Sequence, residues 1–312
     1  MAVVPGGRRF RMAALLALAL ACASCTGAGG EGVPQESVTE GPVPEESVPE
    51  ASATEQSGGT VTEGIETALP RGTRVGRARW KPRPGVAWQW QLSGDLDLTV
   101  DVPVYDVDWQ VPRDVVDRLH RDGRRVICYV SVGTVEEYRD DAGDFPAEVQ
   151  GRPLADWPDE RWLDVRRLDL IGPPLLRRLD VCREKGFDAV EPDNVDAYSN
   201  ASGFPLTAED QLRFNRWIAR AAHERGMSVG LKNDVDQIAE LEPDFDFAVN
   251  EQCLQYEECG AYEPFVRAGK AVLHVEYEMS PEEFCAAVPV PGFSSMLKRY
   301  DLDAYRHVCP GS

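Results

Sequence analysis

Short apolar runs alternate with longer segments of helical pattern between residues 71 and 312. Each apolar run has the length of a buried β-strand and is bounded by polar residues, glycine or proline. This pattern predicts eight strands, at residues 86–92, 102–108, 125–131, 187–193, 228–233, 245–251, 271–276 and 293–298.

The segments between these runs predict helices that stop at glycine. Glycine is favoured just after a helix because it adopts the left-handed backbone conformation without strain. Helices are predicted at 115–121, 175–185, 207–225 and 262–268, followed by Gly123, Gly186, Gly226 and Gly269. Thr207 precedes Asp210 by three residues, which is an acidic variant of the capping box.

The repeated order of helix, glycine and strand is what a parallel sheet requires, because parallel strands are joined by crossovers. Eight such strands in one segment predict an α/β fold of a single domain, a (β/α)8 TIM-type barrel over residues 71–312. The alternative is a doubly wound open sheet. No glycine-rich phosphate loop follows the first strand, which argues against that alternative.

Residues 1–25 predict an export signal. Three arginines within residues 8–11 precede an apolar stretch at 12–23 that is too short to span a bilayer comfortably. Small residues surround Cys25, as in the cleavage box of a bacterial lipoprotein, although Cys22 stands where leucine is usual. We expect a lipid-anchored protein at the cell surface; the alternative is ordinary cleavage and release.

Residues 26–70 contain nine glutamates and neither lysine nor arginine, which predicts a disordered acidic linker. The segment 71–312 retains 30 basic and 44 acidic side chains, a net charge of about −14. Nucleic acid is therefore not an expected partner, and contact with a membrane is expected only through Cys25. A cationic ligand would be attracted. The alternative is that the charge only keeps an exported protein soluble.

Six cysteines remain in the segment 71–312, and an even number in an oxidising compartment predicts disulfides. The pairs Cys253–Cys259 and Cys285–Cys309 are favoured by their proximity, and the other connectivity stays open. No cysteine and histidine cluster has the spacing of a metal site, so neither cofactor nor metal is predicted.

Polar residues gather at the ends of the predicted strands. Active sites of (β/α)8 barrels lie at the carboxyl ends of the strands, so we expect these side chains to share one rim. The acids there are Asp106, Asp108, Glu191, Asp193, Asp196, Asp234, Glu251, Glu276 and Glu278. Carboxyl groups with separated pKa values are what hydrolysis of a glycosidic bond requires.

Single acids after strands also have structural alternatives. Asp234 could cap the following helix, and Asp106 or Asp108 could pair with an arginine. Two segments contain more acidic or polar residues than a turn requires. They are Glu191-Pro-Asp-Asn-Val-Asp196 and Asn250-Glu-Gln252.

Several ordered motifs lie between about residues 80 and 305. The motifs are Trp88-Gln-Trp-Gln-Leu92, Tyr105-Asp-Val-Asp108, Gly186-Phe-Asp-Ala-Val-Glu-Pro-Asp-Asn-Val-Asp196, Gly230-Leu-Lys-Asn233 and Asn250-Glu-Gln-Cys253 with Tyr256 and Cys259. Together they resemble the motifs of the glycoside hydrolase family 114 endo-α-1,4-polygalactosaminidases. The resemblance implies a barrel that cleaves internal α-1,4 linkages in a galactosamine-containing polysaccharide without a cofactor.

The resemblance also implies catalytic roles. Asp193 becomes the nucleophile and Glu251 the general acid/base. The family usually has aspartate at the position of Glu191, which leaves Glu191 as the other candidate for the catalytic acid on the fourth strand. We expect retention of configuration; the separation of the carboxyl groups, about 5 to 5.5 Å for retention and about 6.5 to 9.5 Å for inversion, would decide it.

The surrounding residues predict a site for a cationic sugar chain. Several polar residues at the strand ends are expected to form hydrogen bonds with sugar hydroxyls. They are Tyr129, Asn194, Lys232, Asn233 and Asn250. Lys232 would also keep one carboxylate ionised. Flat faces for sugar rings are expected from Trp88, Trp90, Tyr198 and Tyr256, with core packing as the alternative. Binding of the ammonium group is expected from Asp106, Asp108, Glu191, Asp196 and Glu276.

Two other functions are open. One is a non-catalytic cell-surface protein that binds glycans on a barrel scaffold. The other is metal-assisted hydrolysis, in which Asp106, Asp108 and Glu276 supply oxygen ligands to a hard cation.

Overall fold

The computed structural model describes residues 79–288 and 290–310. The predictions for residues 1–70, which concern the export signal, the cleavage box at Cys25 and the linker, lie outside the described residues. Within the described part of the chain, no helix combines the length and apolar character that crossing a membrane requires.

All eight predicted strands are present. In chain order the strands are β1 (Trp88–Gln91), β2 (Val104–Asp108), β3 (Arg125–Ser131), β4 (Thr134–Glu136), β5 (Gln150–Pro153), β6 (Glu160–Leu163), β7 (Ala189–Asp193), β8 (Ser228–Lys232), β9 (Phe247–Glu251), β10 (Val272–Glu276) and β11 (Phe293–Leu297). The eight predicted strands form one sheet in the order β1-β2-β3-β7-β8-β9-β10-β11. Each neighbouring pair is parallel.

The sheet curves until its first and last strands meet. The Trp88 indole Nε1 on β1 donates to the Ser294 carbonyl on β11 at 2.8 Å. Nearby, the Gln89 amide donates to the Ala304 carbonyl at 3.0 Å, and Arg306 donates to the Trp88 carbonyl at 3.1 Å. These contacts join the two ends of the sheet, so the predicted (β/α)8 barrel is confirmed. In an open doubly wound sheet the edge strands would lie far apart.

The helices cover the outside of the barrel. They are α1 (Arg113–Arg121), α2 (Leu168–Lys185), α3 (Ala208–Glu224), α4 (Ile238–Leu241), α5 (Glu263–Arg267) and α6 (Pro281–Ala287). Helix α2 begins seven residues before its predicted start, because the sequence pattern was interrupted by Pro173 and Pro174, which the helix accommodates. Thr207 and Asp210 form the predicted capping box of α3.

A small antiparallel sheet in the order β4-β6-β5 is inserted between β3 and α2. The sequence pattern did not predict it, because its strands have only three or four residues and few of them are apolar. Its strand β4 follows β3 almost directly, so the sheet lies beside the carboxyl ends of the barrel strands. We call this end of the barrel the mouth.

Alternate residues of each barrel strand face the interior. The interior core includes Trp88, Trp90, Ile127, Leu273 and Val275, and it is separate from the larger core between the sheet and the helices. The alternation has a period of two, so a residue next to an interior position faces the helices instead. This parity decides which of the predicted polar residues point into the mouth.

Three disulfides link the barrel. Cys253–Cys259 and Cys285–Cys309 are the two predicted pairs, and both are confirmed. The third, Cys128–Cys182, joins β3 to α2 across 54 residues. Closing a loop of that length contributes about 4 kcal/mol in the chain-entropy model. It also fixes both ends of the segment that carries the small antiparallel sheet.

Candidate active site

Lys232, at the end of β8, lies among three carboxylates. Its Nζ is 2.9 Å from Asp193 Oδ1, 3.1 Å from Glu191 Oε1 and 3.3 Å from Glu251 Oε2. Strands β7, β8 and β9 are neighbours in the sheet, so the inward-facing side chains at their ends meet. We call these four residues the Lys232 cluster.

The members of the Lys232 cluster differ in their access to the mouth. Side-chain exposure is 18% for Asp193 and 28% for Glu251, but 0% for Glu191 and 3% for Lys232. A ligand entering from the mouth can therefore touch Asp193 and Glu251. Glu191 and Lys232 are too deeply buried for such contact.

Asp193 is held as a carboxylate. Its Oδ2 accepts a hydrogen bond from the Tyr129 hydroxyl at 2.8 Å, and its Oδ1 accepts one from Lys232. Burial acts to raise the pKa of Asp193, but the charge of Lys232 and these hydrogen bonds outweigh burial, so the pKa lies below its ordinary value. Asp193 is therefore ionised at neutral pH, as a carboxylate nucleophile must be.

Glu251 is oriented by two different donors. Its Oε1 accepts from the Tyr277 hydroxyl at 2.5 Å, and its Oε2 accepts from the Asn233 amide at 3.2 Å. The side-chain oxygen of Asn233, Oδ1, in turn accepts a hydrogen bond from the Glu251 backbone N–H at 3.0 Å. Asn233 has a positive φ of 46°, a conformation that asparagine tolerates better than most residues. The Glu251 side chain is thus fixed from both sides.

Asp106 lies beneath the Lys232 cluster, on the side away from the mouth, and is hydrogen-bonded to Glu191. Both side chains are fully buried. Burial and the charge of Glu191 raise the pKa of Asp106 well above its ordinary value, and burial also raises the pKa of Glu191 against the opposing charge of Lys232. The raised pKa favours the protonated form of Asp106, whose O–H donates a hydrogen bond to Glu191.

The cation of Lys232 has an aromatic neighbour in addition to its carboxylates. Its Nζ lies 4.7 Å from the centre of the Trp90 ring. Burial acts to lower the pKa of Lys232, but the charges of Asp193, Glu251 and Glu191 raise it well above its ordinary value. Lys232 therefore stays a cation, and its charge keeps Asp193 ionised.

Asn194 and Asp196 border the cluster beyond Asp193. The Asn194 amide donates to the Ser131 hydroxyl at 3.0 Å, which holds the turn after β7. Burial and the charge of Asp193 raise the pKa of Asp196 to about 6. Asp196 is therefore mostly ionised at neutral pH and lies close enough to Asp193 for their charges to interact.

Two further acids at the mouth have protein partners. Asp108 binds Arg139 through two hydrogen bonds of 2.5 and 3.0 Å, which is the arginine pairing considered as its alternative role. Asp234 makes no capping hydrogen bond to the turn that follows it. It accepts hydrogen bonds from Asn215 and the Tyr198 hydroxyl, and burial raises its pKa to about 8. Tyr198 is half-buried beside it.

Several residues predicted to contact substrate are placed out of its reach. Trp88 is 1% exposed and packs in the barrel interior. Asn250 faces the helices, where its amide donates to the Tyr262 hydroxyl at 2.9 Å. Glu276 alternates with the inward-facing Val275 and points outward. Asp106 and Glu191 face inward but are covered by Lys232. These corrections all follow from strand parity or depth within the barrel.

The contacts of Glu276 show why it leaves the site. Its Oε1 accepts from the Leu254 backbone N–H at 2.8 Å and lies 2.9 Å from His274 Nε2. The predicted metal ligands Asp106, Asp108 and Glu276 are therefore not brought together. Among the described residues, the groups with metal-ligating potential are Cys253, Cys259 and His274, and Cys285, His307 and Cys309. In each group the two cysteines are joined in a disulfide.

The family model of glycoside-hydrolase family GH114 matches residues 71–312. The chain belongs to family GH114. The crystal structure of Aspergillus fumigatus Ega3 in complex with galactosamine is 38% identical, covers 75% of this chain and 98% of its own, and superposes with a TM-score of 0.71. No curated protein matches the chain significantly.

A more distant structure shares the fold. The glycoside hydrolase domain of PelA from Pseudomonas aeruginosa is 15% identical, with a TM-score of 0.57, over 71% of this chain and 97% of that domain. The GH114 chain described here is therefore a glycoside hydrolase built on a (β/α)8 barrel.

Tyr277 is the residue of this GH114 site that the sequence analysis missed. It directly follows Glu276, which was predicted to bind substrate because it is an acid at a strand end. Strand alternation was the available signal, since Leu273, Val275 and Tyr277 occupy every second position on the interior face. Applied strictly, the same parity would have excluded Glu276.

Gly133 is predicted to be essential for the position of Asp193 in the GH114 site. A Cβ at residue 133 would lie 1.6 Å from the Asn194 carbonyl oxygen, and the Gly133 N–H donates to the Asp193 carbonyl at 3.2 Å. Gly133→Ala must push the turn that carries Asp193, and kcat should fall about 100-fold, as expected for a displacement of about 1 Å. Steady-state kinetics and urea unfolding measure activity and stability separately.

The control for Gly133→Ala is Gly143→Ala, because a Cβ at Gly143 meets nothing within 4 Å. Gly143→Ala should keep full activity. Equal kcat values for the two variants would show that the turn accommodates the methyl group and that the position of Asp193 does not depend on Gly133.

Tyr129→Phe should change the pH dependence of catalysis. The Tyr129 hydroxyl bond is one of the contacts that lower the pKa of Asp193. Without it the pKa of Asp193 rises, so a higher pH is needed to ionise this carboxyl group. The acidic limb of the profile of kcat/KM against pH should therefore move to higher pH. Tyr105→Phe is the control, because the Tyr105 hydroxyl donates to the Val100 carbonyl and makes no contact with Asp193. An unmoved acidic limb in Tyr129→Phe would refute the assignment of that limb to Asp193.

Proposed function

We propose that the protein hydrolyses internal α-1,4 linkages of a galactosamine-containing polysaccharide, with Asp193 as nucleophile and Glu251 as general acid/base. One observation carries the assignment of roles. Of the three carboxylates that contact Lys232, Asp193 and Glu251 have access to the mouth, whereas Glu191 is fully buried. This accessibility favours Asp193 over Glu191 as the catalytic group on β7.

The geometry of the pair supports a retaining mechanism. Asp193 Oδ1 and Glu251 Oε2 lie 2.9 and 3.3 Å from the same Lys232 nitrogen, so these oxygens are at most 6.2 Å apart. Retaining glycosidases separate their carboxyl groups by about 5 to 5.5 Å, and inverting enzymes by about 6.5 to 9.5 Å. These two oxygens therefore lie closer together than the inverting range, which favours retention.

The reaction then has two steps. Asp193 attacks the anomeric carbon while Glu251 gives its proton to the leaving glycosidic oxygen, and a covalent glycosyl ester forms on Asp193. Glu251 next takes a proton from water, which attacks the same carbon and frees Asp193. Tyr277 and Asn233 keep Glu251 in one orientation through both proton transfers.

Charge supports an amino-sugar substrate. The segment 71–312 carries a net charge of about −14. At the mouth, Asp193 is ionised and Asp196, with a pKa of about 6, is mostly ionised at neutral pH. We assign Asp196 the contact with the ammonium group of the sugar bound at Asp193. The crystal structure of the 38% identical Ega3 contains galactosamine, which is consistent with this choice.

The test is incubation of the purified protein with partly deacetylated α-1,4-galactosaminan, with fully acetylated polymer and amylose as comparisons. We expect short oligosaccharides from the deacetylated polymer. Viscosity should fall before many reducing ends appear, because internal cleavage shortens chains quickly. NMR of the first products should show the α anomer. Binding of the polymer without new reducing ends would contradict the proposal and favour a non-catalytic glycan-binding protein.

We further propose that the protein is exported and held at the cell surface by a lipid on Cys25, with residues 26–70 as an acidic tether for a catalytic domain at 71–312. The basic residues, the apolar stretch and the small residues around Cys25 support this assignment. Metabolic labelling with palmitate should label the wild-type protein and not Cys25→Ser. Equal release of both proteins into the medium would contradict the anchor.

A further inference from the structure

Trp157 and Tyr300 form an exposed aromatic pair at the mouth. Trp157 is 48% exposed and lies in the connection between β5 and β6, and Tyr300 is 38% exposed and follows β11. Their ring centres are 6.2 Å apart and their planes differ by 10°. Two segments far apart in sequence therefore place two stacked and partly exposed aromatic rings together.

The exposed pair is connected to the catalytic carboxylates. The Tyr300 ring packs edge-on against Tyr277, with a distance of 5.0 Å between ring centres. The Tyr277 hydroxyl donates to Glu251 Oε1 at 2.5 Å. A chain of three contacts thus joins Trp157 to Glu251. A polysaccharide bound at Glu251 can extend along the mouth towards Trp157.

The chemistry around the exposed pair matches a cationic sugar. Aromatic faces attract cations, and exposed contacts of this kind contribute about 0.5 to 1 kcal/mol. Asp156 and Asp159 are exposed on either side of Trp157, and Asp301 is exposed next to Tyr300. Aromatic faces for sugar rings and carboxylates for ammonium groups therefore occur together on one surface.

We propose that Trp157 and Tyr300 form a distal subsite that binds a galactosamine residue of the polysaccharide away from the bond being cleaved. This inference rests on the proposed function and extends it. The subsite lies outside the cluster that performs the chemistry, so its contacts are the same in the ground state and the transition state. It therefore lowers KM for long chains and leaves kcat unchanged.

The consequence is a dependence on chain length. Trp157→Ala should raise KM for long galactosaminan roughly 2- to 5-fold, which corresponds to the loss of one exposed aromatic contact to a cationic ring. The kcat for the polymer should stay at the wild-type value. The shortest oligosaccharide that the enzyme cleaves should show no change in either constant, because it does not reach the subsite.

The experiment compares wild type, Trp157→Ala, Trp157→Phe and Tyr138→Ala. Trp157→Phe keeps an aromatic face and should recover most of the affinity. Tyr138 is 62% exposed, and its hydroxyl donates to Glu136 rather than joining the aromatic pair, so Tyr138→Ala controls for the loss of an exposed aromatic residue. Thermal unfolding of each variant checks the fold.

A second measurement does not depend on turnover. Affinity electrophoresis in gels that contain deacetylated galactosaminan should retard wild type more than Trp157→Ala, and gels with amylose should retard neither. Equal retardation of both proteins, or equal KM values at every chain length, would overturn the subsite. An inactive wild-type protein whose retardation still depends on Trp157 would overturn the proposed hydrolysis and leave the subsite supported.

Discussion

Asp193→Asn is expected to lower kcat/KM on galactosaminan by roughly 10⁴- to 10⁶-fold, the range found for essential groups in other hydrolases. The substitution preserves size, and its amide oxygen can accept from Lys232 while its NH2 group donates to the Tyr129 hydroxyl oxygen. An amide oxygen does not form the glycosyl ester, so the first step is lost while the fold and the binding of polymer remain. Initial rates of reducing-end release measure this effect.

Glu191→Gln is the matched comparison on the same strand. Glu191 is fully buried below Lys232, so its neutral variant should lose much less activity than Asp193→Asn. Trapping with a slow 5-fluoro glycosyl fluoride, followed by mass spectrometry of peptides, should place the covalent sugar on Asp193. A labelled Glu191, or an Asp193→Asn enzyme with a tenth or more of wild-type activity, would refute the assignment.

Glu251→Gln is expected to lower kcat on the polymer by about 10²- to 10⁴-fold, the contribution of general acid/base catalysis. Leaving groups that need no proton should restore the first step, because Asp193 is intact. Added azide should then restore the second step, since it attacks the glycosyl ester without needing a base. The product should be the α-glycosyl azide if configuration is retained.

The control for Glu251→Gln is Glu278→Gln. Glu278 accepts a hydrogen bond from Gln255 and lies outside the Lys232 cluster. It should keep wild-type activity and should not respond to azide. A β-glycosyl azide, or a Glu251→Gln enzyme that is insensitive both to the leaving group and to azide, would contradict the retaining mechanism with Glu251 as acid/base.

The barrel strands could be predicted because each is buried on both faces. The run at residues 125–131 coincides with β3, and the other seven agree within two residues at each end. The small antiparallel sheet could not be predicted in the same way. Its strand β5 reads Gln-Gly-Arg-Pro, and only its pairing with β6 makes it a strand.

The proposed catalytic pair could be predicted from sequence because both residues end strands. Their motifs resemble a known family, and carboxyl ends of parallel strands meet at one rim. The roles of Asp106 and Glu191 could not be predicted from sequence. Nothing in the neighbouring residues indicates how deep a polar strand residue lies within the barrel. Both acids were expected to bind an ammonium group. Because both are fully buried, they support Lys232 instead.

Tyr277, Trp157 and Tyr300 show the same limit at longer range. Each comes from a different connection, and none stands in a motif of its own. Their proximity depends on how the small sheet and the segment after β11 cross the mouth.

The amino-acid sequence by itself determined the number and order of the barrel strands, the two expected disulfides and the set of acids that end the strands. These depend on local burial patterns and short spacings along the chain. Only the tertiary structure decided which acids meet Lys232, which turn outward and which aromatic residues continue the site. Those outcomes depend on strand parity, depth and contacts between segments that are distant in sequence, for which no single stretch of residues contains the information.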